Sequence, residues 1–211
     1  MSTSDPQNGR SALVFTASSS LKGLANATVL RDAQAAAHAA DGAARTSGSP
    51  AIAAADGLSD ALKTASGLVI AHGDKQQVVA VVSVPEADRR IVEPALWATS
   101  RTVIDVAGGS VVEQCREALP LKAPVSILTR DAGETQSVVA ELQASLGQPA
   151  LPPGADGSGS AEALAVLREA KRPLVLLGHG AAAYAQLDQV TTLARIWEAP
   201  VAVTFGATGM P

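Results

Sequence analysis

Val78-Val79-Ala80-Val81-Val82-Ser83-Val84, halted by Pro85, decides the fold of this chain. The run is apolar and mostly β-branched, without the polar alternation of a strand that keeps one wet face. Such a strand needs cover on both sides. That is the environment of a mostly parallel sheet flanked by helices, because crossover connections lay helices over each face.

The neighbouring segments fit the same plan. Upstream, Ala12-Leu13-Val14-Phe15 reads as a first strand whose Thr16-Ala17-Ser18-Ser19-Ser20 tail turns into a helix, and Ala27-Thr28-Val29-Leu30 repeats the pattern. Arg31-Asp32 opens a long alanine-rich helix that contains Gly42 and closes at Gly48-Ser49-Pro50, with a brief strand at Ala51-Ile52-Ala53. Asp56-Gly57 begins a turn, after which Ser59 or Asp60 can cap a helix through Ala61–Ala65. Leu68-Val69-Ile70-Ala71 either extends that helix or forms a strand, since periodicity does not choose for so short a run. Downstream come a strand at Thr102–Val106, a helix from Ser110 to Ala118, a strand at Val125–Leu128 and a helix ending near Leu146-Gly147. Strands alternating with helices imply crossovers and an α/β fold.

Composition bounds the function. Apolar residues make up 47% of the 211 and aromatics 2%, so the core is built from Ala, Val, Leu and Ile and offers little surface for stacking bases. A net charge of −4 leaves no basic field for a phosphate backbone, which argues against nucleic acid as a partner. The one cysteine, Cys115, excludes an internal disulfide and suits a buried structural thiol. No run approaches the roughly 18 apolar residues of a membrane helix. Residues 1–10 lack the apolar core of a secretory signal and read as a disordered lead-in, so cytoplasmic residence is the default expectation. Among the histidines, His38 is expected to be a helix residue with a structural bond, His72 a helix-end residue near Asp74, and His179 solvent-facing. No His/Cys/Asp grouping has metal-ligand spacing, so no metal ligands are assigned.

The α/β domain is expected over residues 11–147. Residues 148–159 are dense in Pro and Gly and read as a linker. A second unit then runs over 160–211: Ser160 as a plausible N-cap, a helix Ala161–Ala170, a strand Pro173–Leu177, the turn Gly178-His179-Gly180, a helix Ala181–Glu198 and a strand Pro200–Thr204. This is the first part of a Rossmann-like domain. Two strands and two helices cannot bury enough surface by themselves, which implies docking on the first domain, on a second copy or on another chain.

Ala35-Ala36-Ala37-His38-Ala39-Ala40-Asp41-Gly42-Ala43-Ala44-Arg45-Thr46-Ser47-Gly48 resembles the "AAxxADGYARxTG" helix in the pyrimidine-binding domain of thiamine diphosphate-dependent enzymes of the acetolactate synthase and oxalyl-CoA decarboxylase group. Lys171-Arg172-Pro173, Gly178, Gly180, Ala199-Pro200, Thr204, Gly209 and Pro211 are similar to the opening of the central domain of the same enzymes. Val78–Val84 and Lys122–Ile127 match further strands of that family, so the resemblance spans roughly residues 11 to 211.

The resemblance implies a glutamate leading into the alanine-rich helix, which drives the cofactor's aminopyrimidine into its imino form; counted back from Asp41-Gly42, that position holds Ala33. A methyl group cannot bond or protonate a ring nitrogen. The family's "SGPG" phosphate-side loop is replaced by Ala55-Asp56-Gly57-Leu58, and the glutamine of its "FQE" loop, aligned through Glu86-Ala87-Asp88, becomes Pro85. Asp56 and Gly57 are the cofactor-side candidates of the first domain. Gly178, His179 and Gly180 are those of the second, at a turn where some relatives place an FAD or ADP phosphate.

The resemblance thus implies a subunit or fragment of a lyase or transferase acting on a 2-oxo acid or acyl-CoA, inactive alone. Thiamine diphosphate and Mg²⁺ would be completed by a second chain carrying the diphosphate-binding domain, or within a homo-oligomer. A non-catalytic structural or regulatory relative, and a small nucleotide-binding α/β module using Gly178-His179-Gly180, are the alternatives.

Overall fold

The computed structural model describes residues 12–119, 123–146, 160–178 and 187–204. The chain divides into two compact units, residues 1–150 and 151–211. The lead-in reading of 1–10 and the linker reading of 148–159 fall outside the described residues, as do His179 and Gly180.

The first unit runs β1 (Val14–Thr16), a 3-10 turn at Ser19–Leu21, β2 (Ala27–Val29), α1 (Ala33–Ser47), β3 (Ala51–Asp56), α2 (Leu58–Gly73), β4 (Val78–Ser83), α3 (Glu86–Thr99), β5 (Thr102–Asp105), a 3-10 turn at Val106–Gly108, α4 (Val111–Ala118), β6 (Val125–Thr129) and α5 (Ala132–Ser145). Its strands form one sheet in the order β2-β1-β3-β4-β6-β5. All pairings are parallel. The fold is therefore α/β with a parallel sheet flanked by helices, as the β4 sequence implies.

Alternation along the strands feeds two cores. Ile52, Ala54, Val79 and Val81 face the layer that includes Val111, Cys115, Val139 and Leu142 of α4 and α5. Ala51, Ala53, Ala55, Val78, Ala80 and Val82 face the other layer, built from α1, α2 and α3. On that side alanine meets alanine: Ala33, Ala37, Ala40 and Ala44 of α1 bury against the alanines of β3 and α2. Short side chains let the helices approach closely, which is why so few aromatics suffice.

α1 begins where Asp32 caps it, its Oδ1 accepting the Ala35 N–H at 2.8 Å. It ends at Gly48, whose φ of +66° is a left-handed conformation that a glycine adopts without strain. Arg45 ties the helix down, lying 3.2 Å from Asp41 on its own helix and 2.7 Å from Asp74 at the end of α2.

Three local expectations are corrected. Neither Ser59 nor Asp60 caps α2; Gly57 does, at φ +89°, and both residues lie in the first turn. β3 extends through Asp56 instead of ending at Ala53, while Leu68–Ala71, open between helix and strand in the sequence, continues α2. Glu86-Ala87-Asp88, aligned with a loop, is instead the first turn of α3, where Glu86 and Asp88 suit the positive end of the helix dipole.

The second unit contains α6 (Ser160–Glu169), β7 (Val175–Leu177), α7 (Leu187–Ile196) and β8 (Val201–Val203). β7 and β8 pair in parallel, Leu176 opposite Ala202. Its strands are poorly covered, with Leu176 63% and Val201 46% exposed. None of the described helices is long and apolar enough to cross a membrane.

Candidate functional site

In a parallel α/β sheet, ligands bind beyond the carboxyl ends of strands where neighbouring connections leave in opposite directions. β1 leads to β2 on one side and β3 leads to β4 on the other, so the switch lies between β1 and β3. Asp56 closes β3 at that place, and Gly57 follows it into α2.

The side chains there are bonded to one another. Ser20 Oγ donates to Asp56 Oδ2 at 2.5 Å, and Ser83 Oγ, from the end of β4, donates to Asp56 Oδ1. Ser18 Oγ accepts the Asp56 N–H at 3.0 Å and donates to Asp60 Oδ2 at 2.7 Å. The Gly57 N–H donates to the Ser83 carbonyl at 2.9 Å. The result is a carboxylate held by two hydroxyls, and among the described residues no imidazole hydrogen-bonds these serines. It positions chain ends and offers no activated nucleophile.

Further along the same sheet edge, Arg89 of α3 reaches Asp105 at the end of β5, and Arg130 pairs with Glu134 at 2.5 Å. Asp105 is held below the usual carboxylate range, first by the Ala107 N–H and then by the Arg89 guanidinium. Glu134 is lowered chiefly by its hydrogen bond from Arg130. Arg89 Nε lies 3.1 Å from Glu86 Oε2, yet off the hydrogen-bonding direction, so it is buried without a hydrogen-bond partner. Each of these two arginines is thus paired with a carboxylate.

Ala33 occupies the first position of α1 and is 0% exposed. Gly178 follows β7 in the second unit, so the structure assigns it to a different unit from Asp56 and Gly57. His38 is half-buried on α1 and its imidazole makes no hydrogen bond among the described residues, contrary to the expected structural bond. His72 lies in the last turn of α2, next but one to Asp74. Among the described residues no group of three or more His, Cys, Asp or Glu could hold a metal ion. The sequence reading missed Ser18, Ser20 and Ser83 as partners of Asp56. The available signal was the Ser18-Ser19-Ser20 run directly after a strand, in the position of a switch-point loop.

Residues 12–97 match the family model described as the N-terminal TPP binding domain of thiamine pyrophosphate enzymes. That match supports a pyrimidine-binding domain of the thiamine diphosphate-dependent enzymes over those residues. The thiamine pyrophosphate domain so identified contains β1 to β4, α1 and α2 whole, and most of α3. The fold is similar to a solved structure from Mycobacterium smegmatis described as a thiamin diphosphate-dependent enzyme, at 16% identity and TM-score 0.66 over 92% of this chain and 42% of that one. It is also similar to the Rhodococcus jostii RHA1 thiamine diphosphate-dependent 4-hydroxybenzoylformate decarboxylase, at 13% identity and TM-score 0.71 over 92% of this chain and 41% of that one. The chain spans about two fifths of the length of these structures. A comparison with curated proteins finds no match.

Position 33 is where the resemblance implies the family's activating acid. A cofactor ring would meet a buried methyl there, with no oxygen to hold or move a proton.

Proposed function

We propose that this chain is the pyrimidine-side part of a thiamine diphosphate-dependent decarboxylase or carboligase acting on a 2-oxo acid or acyl-CoA. In this reading thiamine diphosphate with Mg²⁺ is held by another chain or another copy carrying a diphosphate-binding domain, and the assembly works in the cytoplasm. The family match over residues 12–97 is the single observation that supports it. The solved decarboxylase of similar fold makes a 2-oxo acid the first substrate class to assay.

A second reading, a non-catalytic relative kept for assembly or regulation, is favoured by Ala33, because the position that should carry an acid carries a buried methyl. One experiment separates the two. The chain is co-expressed with a chain carrying a diphosphate-binding domain, and decarboxylation of pyruvate, oxalyl-CoA and 4-hydroxybenzoylformate is followed with thiamine diphosphate and Mg²⁺. Turnover that requires both chains supports the first reading. A stable complex without turnover, or turnover by the partner alone, supports the second.

A further inference from the structure

We propose that the face of this domain around the start of α1 and the ends of β1 and β3 is closed by the chain itself, and is a packed supporting surface instead of an open half of a cofactor cleft. The proposal rests on the family reading of residues 12–97 and deepens the second, non-catalytic reading given above. It goes beyond the loss of one acid, because it concerns whether the position is accessible at all.

Ala33 belongs to the same buried cluster as Ala37, Ala40 and Ala44 of α1 and Ala51, Ala53 and Ala55 of β3. Its methyl is part of the alanine-on-alanine layer between helix and sheet. A longer side chain grown from it enters that layer before it can reach solvent or ligand, and a carboxylate placed there loses its hydration.

The helix has no slack with which to make room. A Cβ built on Gly67 of α2 would stand 2.6 Å from the Ala37 Cβ and 2.8 Å from the Gln34 carbonyl oxygen. The first turns of α1 therefore rest directly on α2, backbone against backbone. Moving α1 outward uncovers the whole alanine layer.

The polar side of this face is already satisfied. Both carboxylate oxygens of Asp56 accept a serine hydroxyl, from Ser20 and Ser83, and Ser18 Oγ is bonded to the Asp56 amide and to Asp60. A ligand entering between β1 and β3 must break bonds that the chain makes within itself, and each one it fails to replace costs affinity.

The test uses the full chain. Isothermal titration with thiamine diphosphate and Mg²⁺ is expected to give no saturable heat, and Ala33→Glu is expected to lower the unfolding temperature by roughly 10 °C, as other buried unpaired charges do. Saturable binding by the unaltered chain, or an Ala33→Glu variant that unfolds at the original temperature, overturns the proposal. Should Ala33→Glu fail to fold, Ala33→Val gives the reading: a fall of about 4 °C is expected from overpacking, and an unchanged or higher unfolding temperature refutes closure. An Ala33→Glu variant that keeps its stability and binds thiamine diphosphate would defeat closure while upholding the family reading. The two can thus fail separately.

Discussion

The Cβ of Ala37 lies 2.6 Å from the point at which a Cβ on Gly67 would stand, so α1 and α2 meet at a distance that a glycine permits and an alanine does not. Because the Gln34 carbonyl is also within 2.8 Å, the obstruction is partly backbone and cannot swing aside. Gly67→Ala should therefore destabilise the chain by about 1–3 kcal/mol despite the better helix propensity of alanine. Urea unfolding reads this directly; a gain in stability would mean that the helices sit further apart than described.

Arg89 and Asp105 form a pair of unequal exposure, the arginine side chain at 10% and the aspartate at 46%. Asp105→Ala leaves a nearly buried guanidinium short of an acceptor and should cost about 1–3 kcal/mol. Adding Arg89→Leu should recover part of that loss, since no buried charge is then left unpaired, Glu86 being exposed. A double variant that is less stable than Asp105→Ala would show that the arginine stem, and not its charge, matters.

The same pair has a pH signature. Asp105 titrates below its ordinary range when folded, so it adds stability above the unfolded carboxylate pKa and loses that contribution as pH falls toward the folded value. Asp105→Asn should flatten the acid side of the stability profile and leave the slope near neutrality unaltered. Equal acid slopes for the two proteins would contradict the assignment.

Cys115 is wholly buried on α4, and burial pushes its thiol up to about 12. Folded chain should resist alkylation at pH 8, with labelling paced by unfolding, because the thiolate is the nucleophile. A raised folded pKa favours the protonated form, so this group's contribution is present below the ordinary thiol pKa and is lost as pH climbs to about 12. Rapid labelling without denaturant would place the thiol at the surface.

Leu176 is 63% exposed in the two-stranded sheet, in a kind of strand that normally has cover on both faces. Leu176→Thr substitutes a polar, β-branched residue that suits a strand, and should reduce self-association at micromolar concentration with under about 1 kcal/mol change in stability. Light scattering that shows identical mass for both proteins would separate exposure from association.

The parallel sheet was legible because β4 is buried at six successive positions, five of them apolar, and helix α1 because Asp32 and Gly48 mark its ends. α3 was not, since its exposed Arg90 and its internal Pro94 break the helical pattern that Val92 and Leu96 otherwise keep. The cap of α2 was misplaced for a related reason: a glycine at φ +89° can end a strand and begin a helix in one residue, and no side-chain signal announces it. Of the candidate site, Ala33 and Asp56 could be found by alignment, whereas the serines around Asp56 come from two separate segments and meet it only once the sheet is assembled. Spacing along the chain carries no trace of that meeting.

The strand order also has a consequence in time. β6 lies between β4 and β5, although β5 is synthesised before it. Thr102–Asp105 therefore leaves the ribosome with its only neighbour in the sheet, Val125–Thr129, still unmade. Throughout that interval β4 presents an open edge to which the wrong strand could pair. The brevity of β5, four residues ending in an aspartate, makes it a poor competitor for that edge and keeps the place free until β6 emerges.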